Sequence, residues 1–246
     1  MPLASDSAFQ LAWRSARDGA ALVWPALRGL WAPLLLFHGV AFAFAQAVGV
    51  TQERVLAQKS EDLFALGSLV AAQLLFSFLW TSAYLVVIGR SLTARLEARV
   101  DPGWRESLRE AWSQTLIETL RAWASVLRWA LALILPGGYV FAKLAWSPFV
   151  AALDPAYASG KVDALERSRE LTVGRWWWVS LAVAVLGAAA PEVVGILVQG
   201  SDDRLTTNPV GVLLGEGLTA VLTLVWFAWA FSAFRALSAR AAIPRA

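Results

Sequence analysis

Four stretches of the chain stay apolar for longer than a soluble core helix requires. A membrane-crossing helix takes about 20 mostly apolar residues at a rise of 1.5 Å each. Leu30–Val50, Phe64–Gly89, Trp176–Val198 and Val210–Phe234 each meet that length. A fifth stretch, Thr119–Val150, carries Pro136-Gly137-Gly138 at its centre. As one helix its 32 residues would run about 48 Å, more than a hydrocarbon core of roughly 30 Å needs. Proline followed by two glycines is a strong turn signal. The pattern therefore predicts two short spans turning there, residues 119–135 and 139–153. The fold class that follows is all-α: a polytopic membrane protein with six transmembrane helices paired as three hairpins. They form a single integral membrane domain over 1–246, with spans near 30–50, 64–89, 119–135, 139–153, 176–198 and 210–234.

The segments before spans one, three and five have a helical period of their own. Ala8–Ala20 lines up Phe9, Ala12, Trp13, Ala16 and Ala20. Gly103–Leu116 lines up Trp104, Leu108, Ala111, Trp112 and Leu116, with Arg105, Glu106 and Arg109 opposite. Lys161–Leu171 places Ala164, Leu165, Ser168 and Leu171 on one side. Each predicts a basic amphipathic helix lying in the cytoplasmic interface ahead of its hairpin.

Charge sets the orientation. With six spans and the N-terminus inside, the cytoplasmic segments hold 14 of the 21 basic residues: Arg14, Arg17, Arg90, Arg95, Arg99, Arg105, Arg109, Lys161, Arg167, Arg169, Arg175, Arg235, Arg240 and Arg245. The outer loops hold Arg54, Lys59 and Arg204. A single kinked helix over 119–150 would put the clusters at 90–109 and 161–175 on opposite sides, so the positive-inside rule favours the hairpin. The expected location is a bacterial inner (plasma) membrane, crossed several times, with both termini cytoplasmic. Ala45-Gln46-Ala47 imitates a signal-peptide cleavage site, but the apolar run before it exceeds the usual 7–15 residues. It is read as a retained first span.

Composition removes other classes. The 246 residues are 58% hydrophobic and 16% charged, against about 25% charged in ordinary soluble domains. There is no cysteine and one histidine, which excludes disulfide scaffolds, thiolate metal sites and thiol catalysis. The chain has no phosphate-binding glycine loop, no serine-hydrolase elbow and no paired histidines. No cofactor, metal or catalytic residue is expected, and the protein is read as non-enzymatic. The net charge of +3 is accounted for by cytoplasmic arginines, so no nucleic-acid partner is expected.

Residues 132–178 carry a more particular pattern. Ile134-Leu135-Pro136-Gly137 is followed by Tyr139, Lys143-Leu144 and Trp146-Ser147-Pro148-Phe149-Val150, and then by the stretch from Asp163 to Trp176, Asp-Ala-Leu-Glu-Arg-Ser-Arg-Glu-Leu-Thr-Val-Gly-Arg-Trp. This resembles the YciC-like bacterial inner-membrane proteins and the related membrane domain of glycerophosphoryl diester phosphodiesterases. In those proteins a proline-glycine turn, a basic residue in the next span and an A-L-x-R-S-x-x-L-T-x-G-[RK] stretch recur together. The sequence departs from them in Lys143, where arginine is common, and in Gly138 after the turn. The resemblance covers about a fifth of the chain and implies the fold rather than an activity. No soluble phosphodiesterase domain is present in the chain.

Charges inside spans are costly and mark candidate sites. Here they are Arg128, Lys143, Glu192 and Glu216, with His38 as a polar companion. Glu192 and Glu216 each lie 12 residues from Arg204 in the last outer loop, so antiparallel packing places them at one depth. Counted from the nearest loop or turn, all five fall in the outer half of the bilayer. They predict one cluster, either a binding site for a polar head group or ion, or two ion pairs that fix helix packing. Arg167, Arg169, Arg175, Trp176, Trp177 and Trp178 read as lipid-interface anchors, because Trp and cations gather at membrane–water interfaces. Gly39, Ala43 and Ala47 share a face, and Gly211 with Gly215 forms a GxxxG pair; both suit internal packing or a homo-oligomer. The expected partners are membrane lipids, with a second copy or another membrane protein as further candidates. The expected function is lipid- or partner-interacting membrane organisation; the alternative is a small transporter or channel using the polar cluster.

Overall fold

Apolar runs of this length become long helices, because only a helix satisfies every backbone group within its own segment. The computed structural model describes residues 7–57, 63–131, 134–199 and 209–242. Their order is α1 (Ala8–Ala57), α2 (Leu63–Leu96), α3 (Gly103–Ala130), α4 (Ile134–Leu144), α5 (Ser147–Leu153), α6 (Pro155–Ala158), α7 (Ala164–Leu171), a 3-10 turn (Gly174–Trp176), α8 (Trp177–Gln199) and α9 (Pro209–Ala241). No strand occurs among the described residues. Ala8–Val55, Phe64–Leu96 and Pro209–Ala241 are each long and apolar enough to cross a membrane. Helix α8 adds 23 residues.

The break in α1 follows from its prolines. Pro33 cannot donate to the carbonyl four residues earlier and its ring crowds that carbonyl. The backbone leaves helical geometry at Leu30 (φ −123°, ψ 15°), where the first span was expected to begin. Ahead of the break, the face that packs inward is Leu11, Ser15, Gly19 and Ala26. Phe9 and Trp13 are exposed. The reason is Gly19. It lets α1 approach α9 so closely that a Cβ there would lie 2.7 Å from the Trp229 nitrogen and 2.8 Å from the Ala228 carbonyl. Trp229 Nε1 also donates to the Ala12 carbonyl at 3.0 Å. Small residues win a contact at that distance, and the bulky aromatics turn outward.

Helix α3 departs from expectation more deeply. The amphipathic segment 103–116 and the expected span 119–135 are not separate elements; one uninterrupted helix runs from Gly103 to Ala130. Its buried face is small and polar: Ser107, Ala111, Thr115, Glu118, Thr119, Ala122 and Val126. Its exposed side carries Ile117, Leu120, Trp123, Leu127 and Trp129. That is the reverse of a soluble helix. It packs on α2 through Trp112 Nε1 donating to Ser82 Oγ at 3.1 Å, the Phe78–Trp123 ring contact and the Arg90–Glu110 ion pair.

Two further corrections concern the expected second hairpin. Pro136-Gly137-Gly138 is not its turn but lies inside α4. Proline is tolerated there because the first helical turn has no intrahelical acceptor to lose. Gly137 is needed for approach, since a Cβ would sit 2.8 Å from the Ala130 Cα on α3. The expected span 139–153 is not one helix either; it is split into α4 and α5 between Leu144 and Ser147. The aromatic core of Tyr84, Trp146, Phe149, Phe227 and Phe234 ties α5 to α2 and α9.

Gly19→Ala should cost about 1–3 kcal/mol, the usual range for an overpacked contact, and lower the melting temperature of the detergent-purified protein. Gly39→Ala is its control, because nothing stands within 4 Å of a Cβ at Gly39. Equal melting temperatures for the two variants would contradict the α1–α9 packing described.

Candidate functional site

A helix that stops and restarts leaves amides and carbonyls without partners. At the α4–α5 break these groups are met by residues from α7. Ser168 Oγ donates to the Lys143 carbonyl at 2.8 Å and accepts from the Trp146 amide at 3.2 Å. Ser147 Oγ donates to the Leu144 carbonyl at 2.6 Å. Trp146 Nε1 donates to Ser180 Oγ on α8 at 2.7 Å. Lys143 returns the contact: its Nζ donates to the Thr172 carbonyl at 3.0 Å and lies 5.4 Å from the Tyr139 ring centroid. A cation beside the last carbonyls of α7 is also where the helix dipole favours one. Ser168 and Thr172 are wholly buried.

The residues around this clasp form a local fold of their own. Asp163 caps α7 by accepting from Leu165 N at 2.9 Å and Glu166 N at 3.1 Å. Gly174 ends the segment at φ +66°, a left-handed conformation that other residues enter at a cost. Between α3, α4 and α7 lies a cavity of about 580 Å³, lined by Ser125, Arg128, Trp129, Tyr139, Val140, Lys143, Leu144, Glu166, Arg169, Glu170 and Val173.

That cavity brings together three of the sequence-predicted residues, Arg128, Lys143 and Arg169, and Glu216 is not among its lining residues; the Glu192 side chain lies outside the described residues. Tyr139, a turn of helix from Lys143, packs edge-on against Trp177 at the start of α8. Position 192 lies 15 residues further along that helix, about 22 Å away. Glu216, on α9, is half-buried. His38 sits elsewhere, edge-on to Trp80 and Tyr84 between α1 and α2. Its Nε2 is buried and has no hydrogen-bond partner among the described residues.

The expected interface anchors also divide. Arg169 is exposed and faces the cavity. Arg167 is bound within the protein, to Glu170 at 2.8 Å and Asp154 at 3.5 Å. Trp176 is 6% exposed, with the Arg240 guanidinium 4.2 Å and that of Arg175 5.6 Å from its ring centroid. It is a packing residue rather than a belt residue. Trp177 and Trp178 stack at 4.0 Å, and Trp178 is exposed.

One polar network has no counterpart in the sequence reading. Glu118, 3% exposed, accepts from Arg121 at 2.6 Å and from the Tyr157 hydroxyl at 3.2 Å. Arg121 also reaches Asp163 at 3.0 Å. Partial burial, with the Glu118 carboxylate alongside, pushes the Tyr157 hydroxyl up to about 12. Burial alone would raise the Asp163 carboxyl. The Glu166 amide, the Arg121 guanidinium and the Leu165 amide outweigh it and hold that carboxyl below its ordinary value. Capping signals that could have found this network stand in the chain: Asp154 before Pro155, and Asp163 three residues before Glu166.

Compared with protein-family models, with curated proteins and with solved structures, the chain matches none.

Ser168→Ala would strand the Trp146 amide and leave the Lys143 carbonyl only the longer contact from Thr172 Oγ1 at 3.4 Å, at about 1–3 kcal/mol for a buried group left unsatisfied. A clearly lower melting temperature is the expected result, and an unchanged one would remove the clasp from the account of stability. Asp163→Asn tests the α7 cap by pH. The folded carboxyl titrates below its unfolded value, so its stabilisation is complete above that value and fades as pH falls through the lower one. The melting-temperature gap between the protein and the variant should therefore narrow on acidification from pH 5 toward pH 3 (ordinary Asp about 3.9). A gap that widens would contradict the assignment.

Proposed function

We propose that this is a non-enzymatic polytopic protein of a bacterial inner membrane that engages lipid and organises the membrane through a helical layer on its cytoplasmic side. The observation that carries this reading is the reversed polarity of α3, which turns Ile117, Leu120, Trp123, Leu127 and Trp129 outward and Glu118 inward. An apolar exposed stripe beside tryptophans suits the interfacial region of a bilayer. The resemblance of residues 132–178 to YciC-like proteins belongs to the same reading and rests on the sequence stretch alone.

The topology in this proposal differs from six spans. The part of α1 after Leu30, with α2, α8 and α9, makes four crossings, and α3–α7 lies in the cytoplasmic leaflet without crossing. An even number of crossings keeps both termini, and both basic clusters at 90–109 and 161–175, on the inner side, as the positive-inside rule requires. Arg121, Arg128 and Lys143 then join the cytoplasmic set. Two short pieces of 11 and 7 residues also fall below the length of a crossing helix.

The native chain has no cysteine, so a single introduced thiol reports its own location. Gly138→Cys, at an exposed position with nothing within 4 Å of a Cβ, should react with a membrane-impermeant maleimide in inverted vesicles and stay unlabelled in intact spheroplasts. Labelling in spheroplasts would restore the outer hairpin turn and overturn the four-crossing reading.

A further inference from the structure

Resting on that placement of α3–α7, we propose that the cavity between α3, α4 and α7 binds the phosphodiester headgroup of an anionic membrane phospholipid. Three cations from three separate elements converge there: Arg128, Lys143 and Arg169. Arg90, Arg121 and Arg167 each have a carboxylate within salt-bridge distance. The side chains of Arg128 and Arg169 have no hydrogen bond or ion pair among the described residues. Lys143 is held in place by the Thr172 carbonyl and the Tyr139 ring, so its charge is positioned before any ligand arrives. Of the two lining carboxylates, Glu170 is already engaged by Arg167. That leaves three positive charges against Glu166, an excess that one phosphodiester reduces.

Guanidinium groups bind phosphate through parallel N–H donors, a geometry an ammonium cannot reproduce. The volume of about 580 Å³ is within the usual 300–1,000 Å³ of a small-ligand site. The same phosphate chemistry would serve a free phosphate. The surroundings choose the lipid: Trp129 and Tyr139 line the cavity and are exposed, and Leu127 and Leu131 are exposed at the same end of α3, giving acyl chains an apolar surface to follow.

The test uses the full chain, purified and delipidated in detergent, with binding read by native mass spectrometry. Phosphatidylglycerol should bind at least tenfold more tightly than phosphatidylcholine, and inorganic phosphate should not displace it at equal concentration. Arg128→Gln and Arg169→Gln should each weaken phosphatidylglycerol binding about fivefold to tenfold, near one surface charge, with melting temperature and phosphatidylcholine binding unchanged. Arg169→Lys should recover part of the loss. Equal binding of the two lipids, an unaffected double variant, or displacement by inorganic phosphate would each overturn the proposal, as would equally tight binding of phosphatidylethanolamine. The Gly138→Cys label, read on the same chain in vesicles, separates the failures. Inside-only labelling without lipid discrimination sinks the site alone; outside labelling sinks the topology beneath it and the site with it.

Discussion

A helix cannot be broken in apolar surroundings unless something else accepts its loose amides and carbonyls. In this chain that constraint is met by Ser168, whose one hydroxyl both donates to the Lys143 carbonyl and accepts from the Trp146 amide. Much else depends on it. Fixing Trp146 sets its edge against Phe149 and its tilt against Phe234, which locates α5 against α9. Fixing α7 against α4 places Arg169 in the lining of the same cavity as Arg128. Ala164, Ser168, Leu171 and Thr172 are all fully buried, each for a packing or hydrogen-bonding reason.

Helix α3 explains why polarity alone misleads in such a chain. Its inward face can be small and hydroxyl-bearing because its threonines return their protons to the helix itself, as Thr115 does to Ala111 and Thr119 to Thr115. Such residues cost little when buried and permit close approach. The large apolar residues Ile117, Leu120, Trp123, Leu127 and Trp129 are then left facing outward. The ionic network of Glu118, Arg121 and Asp163 holds this helix to the loop before α7.

The long apolar helices were legible in the sequence because length and hydropathy suffice to define them. The break at Leu30 was legible as the start of an apolar run, although its cause is Pro33. The inward faces of α1 and α3 were not, because they are built from small residues such as Gly19 and Ser107 that carry no apolar period. Pro136-Gly137-Gly138 misled because the same residues that make a turn also suit the first turn of a helix pressed against a neighbour. The sequence grouped Arg128 and Lys143 with Glu192, Glu216 and His38; in the structure the two cations line a cavity with Arg169, Glu166 and Glu170. Depth counted along the chain assumed straight spans, and the α4–α5 break ends that arithmetic at Lys143. The Glu118 network joins positions up to 42 residues apart, beyond the reach of any local period.

Among the described residues the most extensive packing joins α1 to α9, and Ala12 and Trp229 are 217 residues apart. During synthesis at about 5–20 residues per second, the α1 groove beside Gly19 stays vacant for roughly 10–40 s. Biogenesis is therefore a waiting problem: the first helix must be held by the insertion machinery or by lipid until α9 arrives. A chain released early would present that vacant groove to the quality-control proteases of the membrane.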